Sequence, residues 1–159
     1  MKIDSTLITI MTISLPLLGA GIGFLIKHNI EKKKEINNEL TRQRRENYQQ
    51  YVNLIIDLLA GTKTNKKKNN TNILTDLYEF YKKYVLYASP NVIKAFSDYF
   101  QFIYNANEDD PNYTKNSLEL TTKIMYEMRK DIGLNNKGLG KNGEMLLRAL
   151  INDYDTIWK

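Results

Sequence analysis

The sequence has no cysteine, one histidine, one tryptophan and three prolines in 159 residues. Without cysteine there can be no disulfide, no thiolate zinc site, no cysteine nucleophile and no cysteine-linked lipid. The single histidine, His28, stands three residues before Glu31. Two ligands do not make a metal site, which needs three or four. No P-loop, nucleophile elbow or Gly-rich loop after a strand occurs, and no close carboxylate pair is evident, so the chain is not expected to be an enzyme or to carry a cofactor. Alternation of apolar and polar residues, the mark of a strand, is also absent. The net charge of +5 is mild and does not announce a nucleic-acid binder.

What the chain does have, first, is an uncharged and mostly apolar segment from Thr6 to Ile26, followed by Lys27, Lys32, Lys33 and Lys34. At ~1.5 Å rise per residue, a helix of that length spans the ~30 Å hydrocarbon core of a bilayer. The apolar run continues past Gly19-Ala20-Gly21 through Phe24 and Ile26, where a cleaved signal peptide would have turned polar. The sequence thus predicts a single-pass anchor over residues 1–27. Its basic flank sits on the cytoplasmic side, the four lysines face anionic lipid, and the N-terminus lies outside. Gly19 and Gly23 form a GxxxG spacing, which would let two anchors approach closely and form a homo-oligomer.

Beyond the anchor every signal is helical. Residues 28–60 contain neither Pro nor Gly; their first half is charged nearly all round, and the second gains a face at Tyr48, Tyr51, Val52, Ile55, Leu58 and Leu59. A helix polar all round bridges solvent, whereas an apolar stripe is packed. The reading is a juxtamembrane stalk over 28–47 and a cytoplasmic bundle over 48–159. In the bundle, Gly61 ends the first helix, and a second runs over about 73–88. Ser89-Pro90 opens a third to about Asn105, with Ser89 as N-cap. A fourth runs from about Tyr113 to Ile132 with Gly133 as its stop, and a final helix carries Met145, Leu146, Leu150, Ile151, Tyr154 and Trp158. The fold class is all-α, with short connections making an antiparallel bundle.

Two charged loops read as solvated surface. Lys63, Lys66, Lys67 and Lys68 lack an interleaved aromatic for base stacking, so nucleic acid is not the expected partner. Glu108, Asp109 and Asp110 lack the alternating ligand spacing of a calcium loop. Alternating helices bring Tyr87 to the same end of the bundle as Arg129, Lys130 and Asp131. That end is the candidate partner-binding surface, because an Arg fork pairs bidentately with carboxylate or phosphate.

Leu86-Tyr87-Ala88-Ser89-Pro90-Asn91-Val92-Ile93-Lys94-Ala95-Phe96 and Met128-Arg129-Lys130-Asp131-Ile132-Gly133-Leu134 resemble stretches of small bacterial proteins that are often membrane-anchored or prophage-borne. The resemblance implies a context, phage defence or superinfection immunity, and no established activity. The expected function is therefore that of a membrane-anchored helical protein docking a cytoplasmic partner. The alternatives are a membrane effector whose anchors oligomerise on a signal, and a membrane-tethered binder of nucleic acid or anionic lipid.

Overall fold

Helix α1 runs from Ser5 to Lys63 in the computed structural model, past Pro16 and two residues beyond Gly61; between Gly23 and Gly61 its sequence holds no proline or glycine to interrupt it. Backbone is described for residues 5–63, 70–105, 107 and 109–158, and side chains for 23–61, 74–105, 107 and 109–158. The expected anchor, Thr6–Ile26, lies outside the described side chains up to Ile22, and so do Gly19 and the basic loop from Lys63 to Lys68. Among the described residues no helix is long and apolar enough to cross a membrane. The chain divides into two compact units, Met1–Leu40 and Thr41–Lys159.

In the first unit the described side chains from Gly23 to Glu39 are exposed, apolar ones included: Phe24, Leu25, Ile26, Ile30 and Ile36. The His28 ring stacks on Phe24 one turn earlier, and Lys27 stands 3.9 Å from Glu31. Among the described residues, and leaving aside its chain neighbours and the backbone of its own helix turn, nothing lies within 4 Å of where a Cβ on Gly23 would stand.

The second unit is an all-α bundle, and no strand occurs among the described residues. It comprises the later part of α1, α2 (Asn70–Tyr84), α3 (Pro90–Asn105), α4 (Tyr113–Asp131) and a short C-terminal α5 (Tyr154–Ile157). Its core is a stack of aromatic rings. Tyr51 of α1 meets Phe96 of α3 edge-on at 5.1 Å and Phe80 of α2 at 5.4 Å. Tyr84 lies 4.8 Å from Phe96, while Tyr78, six residues earlier, stacks on Phe100 and shares a 2.6 Å hydrogen bond with Tyr104. Rising number on α2 thus meets falling number on α3, which makes that pair antiparallel. Such ring pairs contribute about 0.5–1.5 kcal/mol each beyond the apolar area they bury.

The helix ends follow local chemistry. At the end of α4, Gly133 adopts a left-handed φ of 81°, its N–H bonds to Lys130 O at 3.0 Å, and the Leu134 N–H reaches back to Arg129 O at 2.8 Å. This doubly bonded stop satisfies carbonyls that the helix would otherwise leave open. Arg129 and Lys130 occupy the last turn, where their charge complements the helix dipole. Helix α2 stops at Tyr84, four residues before its expected end: the Tyr87 N–H turns onto Tyr84 O three residues back, tightening the chain into the turn that leads to Pro90. Before α4, Asn107 and Asp110 each accept a backbone N–H two residues on, so the acidic turn folds on its own side chains.

The C-terminal segment corrects the sequence reading. The single final helix expected from Met145 to Trp158 is instead two 3₁₀ turns, Glu144–Leu146 and Arg148–Leu150, an extended residue at Ile151, and the one-turn α5. Tertiary packing decides this: Leu147 is buried against the bundle core and Tyr154 is buried on Trp158. A lone short helix has too little cooperativity to resist such demands.

Candidate functional site

Asp131, the last residue of α4, is where three elements meet. Its carboxylate accepts a hydrogen bond from Arg44 Nη1 at 3.1 Å, a short one from Tyr48 Oη, and the backbone N–H of Ser89 at 3.3 Å. Arg44 Nε also donates to the carbonyl of Tyr87 at 2.6 Å. Two α1 side chains thus clasp the α2–α3 turn and the end of α4. The Asp131 side chain is 7% exposed and that of Arg44 is 25% exposed. Burial, followed by the hydrogen bond and charge of Asp131, pushes the Tyr48 phenol far above its ordinary value of 10 despite the Arg44 charge. Tyr48 therefore keeps its proton and donates it to the Asp131 carboxylate.

The four residues expected at this end are placed there with unequal freedom. Tyr87 enters the clasp through its carbonyl, and its side chain is partly exposed beside Leu86, which is 85% exposed. Asp131 is consumed inside the clasp. Arg129 holds the glycine-containing loop that follows α4: Nε donates to Asn136 Oδ1 at 3.0 Å and Nη2 to Asn135 O at 3.1 Å. Asn136 in turn donates to Tyr126 O at 2.7 Å. Lys130 pairs with Glu127 at 3.3 Å and lies over the Tyr126 ring. Sequence reasoning missed Arg44 and Tyr48 as members of this end. Tyr48 was legible as a core position, but nothing in the charged run around Arg44 distinguishes it from its neighbours.

Glu127 is a second buried carboxylate, with Lys123 at 3.0 Å and Lys130 at 3.3 Å. Burial raises its carboxyl, but the hydrogen bonds and charges of the two lysines outweigh that and hold it below the usual 4.5. A depressed carboxyl contributes stability that is present above the ordinary value and lost as pH falls through the folded one. Chemical denaturation of the wild type and Glu127→Gln should therefore differ at neutral pH by less than about 1 kcal/mol, the lysines being well exposed. The difference should shrink as pH falls below 4.5; one that grows in acid would show that the lysines do not hold this carboxylate.

Beside the clasp a groove of about 470 Å³ opens between α1 and α4. One wall is Arg45, Tyr48, Gln49 and Val52, and the other is Met125, Met128, Arg129 and Ile132, with Leu134 and Leu146 completing the lining. Both walls use positions i, i+3, i+4 and i+7, the stripe that one helix offers another. Arg45 and Gln49 are exposed, and among the described residues Arg45 makes no hydrogen bond or ion pair. No carboxylate lines the groove.

Residues 62–159 match the family model of the spumavirus aspartic protease (A9), and over that span the chain belongs to that family by sequence. No curated protein and no solved structure matches. Aspartic-protease chemistry needs two carboxylates close enough to share a proton. The buried carboxylates of this span, Asp131 and Glu127, face cations instead.

Proposed function

We propose that this chain is a non-enzymatic docking protein, anchored in a membrane through Thr6–Ile26 and receiving a cytoplasmic protein in the groove between α1 and α4. The observation that carries the reading is that groove: largely apolar on both walls and edged by Arg45, whose side chain has no partner among the described residues, at an end where Asp131 and Arg129 are engaged within the bundle. The anchor rests on the length of the apolar run and the lysines behind it. The resemblance to membrane-anchored, prophage-borne bacterial proteins favours a role in phage defence or superinfection immunity. A second reading, an effector whose anchors associate, is favoured by the open face at Gly23.

The absence of cysteine makes the test direct, since any introduced thiol is unique. In intact cells a membrane-impermeant maleimide should label Lys2→Cys and spare Gln49→Cys. The reverse pattern would overturn the topology. A permeant maleimide should label Gln49→Cys more slowly in cells than in the purified full-length chain, because a partner covers the groove. Equal rates would overturn the docking reading.

A further inference from the structure

The groove also says what kind of segment fits it. Asp131 lies against Arg44 and Tyr48, so the last turn of α4 is level with the Arg44–Tyr48 turn of α1. Arg45 and Arg129, both lining the groove, therefore stand towards the same end of it. Arg129 commits Nε and one terminal nitrogen to Asn136 and Asn135, and Arg45 is committed to nothing among the described residues. The rest of the lining is aliphatic, methionine or the Tyr48 ring, apart from Gln49. The α1 wall runs seven residues along its helix, and the facing wall from Met125 ends at Ile132, the residue that caps α4; at 1.5 Å per residue this is about 10 Å, the length of two turns of a third helix. Methionine is unbranched and polarisable and adapts to an incoming side chain, so Met125 and Met128 suit a partner helix better than a rigid small molecule.

From this charge and shape we infer that the groove binds an amphipathic helix of a partner protein, one that lays two turns of apolar side chains between α1 and α4 and presents a carboxylate to Arg45. The inference rests on the docking reading above and adds the chemistry of the partner. A positive edge without an opposing carboxylate selects an acidic segment and rejects a basic one, because like charges brought together across an interface are penalised.

The test uses the full-length chain in its own cells with a photoreactive benzoylphenylalanine at Gln49. Irradiation should link a protein segment of amphipathic helical pattern with Asp or Glu within about one helical turn of its apolar anchors. A synthetic peptide of that segment should bind the purified full-length chain and lose at least about tenfold in affinity for Arg45→Glu. Replacing the peptide's acidic residue with Lys should restore binding to Arg45→Glu, a recovery that a misfolded variant cannot show. A linked segment that is neutral or basic, or a reversed pair that fails to recover, overturns the acidic assignment and leaves the docking reading standing. Links confined to lipid, or no macromolecular link at all, overturn both.

Discussion

Phe96→Ala should destabilise the bundle by about 3–5 kcal/mol, as full truncation of a buried ring does. Phe96 is wholly buried and touches rings from α1, α2 and its own helix: Tyr51, Phe80, Tyr81, Tyr84 and Phe100. Its neighbours cannot collapse into the vacancy easily, because each is itself held by another ring. Two adjoining phenols raise the stakes further. The hydroxyls of Tyr51 and Tyr84 are buried, and burial drives both phenols far above their ordinary values, so they remain neutral. Since a whole domain is stable by only about 5–15 kcal/mol, this one change should consume a large part of that margin. Urea unfolding followed by circular dichroism measures it directly. A loss below about 1 kcal/mol would mean that the rings repack and the aromatic stack is not the organising core.

Asp131→Ala is the second large effect expected, about 2–3 kcal/mol. Removing one member of a buried ion pair costs about 3–5 kcal/mol because the other charge stays buried and unpaired. Here Arg44 retains some water and can rehydrate in part, which reduces the figure. The same substitution strands the Tyr48 hydroxyl and the Ser89 N–H, each of which loses a hydrogen-bond acceptor. Asp131→Asn keeps an acceptor in place and should recover part of the loss. A double-mutant cycle with Arg44→Ala isolates the ion pair. Coupling below about 0.3 kcal/mol would show that the clasp is a geometric coincidence and that α4 is held by its apolar face alone.

The bundle was legible in the sequence wherever a local rule governed the outcome. Pro90 and Asn105 bound α3 as read, because a proline at the first helical position and an apolar face of Val92, Phe96 and Phe100 act on that segment alone. Gly133 stops α4 for an equally local reason, its left-handed backbone. The reading failed where distant residues decide. Nothing near Leu147 or Tyr154 foretells that their burial breaks a helix into 3₁₀ turns. At the candidate site, alternation of helices placed Tyr87, Arg129, Lys130 and Asp131 at one end, but could not show that Asp131 and Arg129 are engaged internally. Arg44 belongs to a residue run that reads as solvated stalk, and its partners are 43 and 87 positions away. The groove is likewise a property of two helices held at a distance, and neither helix announces it alone.

The stacking of Trp158 on Tyr154, with ring centroids 4.4 Å apart and the indole nitrogen buried, has an optical consequence. This is the only indole in the chain, and it stands in the C-terminal segment, whereas the buried rings of Tyr48, Tyr51, Phe80, Tyr84, Phe96 and Phe100 belong to the bundle interior. Indole emission therefore reports whether that last stretch is seated, whereas the near-ultraviolet tyrosine signal is drawn largely from rings elsewhere in the bundle. A thermal scan watched at the two wavelengths observes two different places in one molecule. Where the tail lifts before the interior loosens, the emission midpoint will come first, and emission alone would give too low a melting temperature for the bundle.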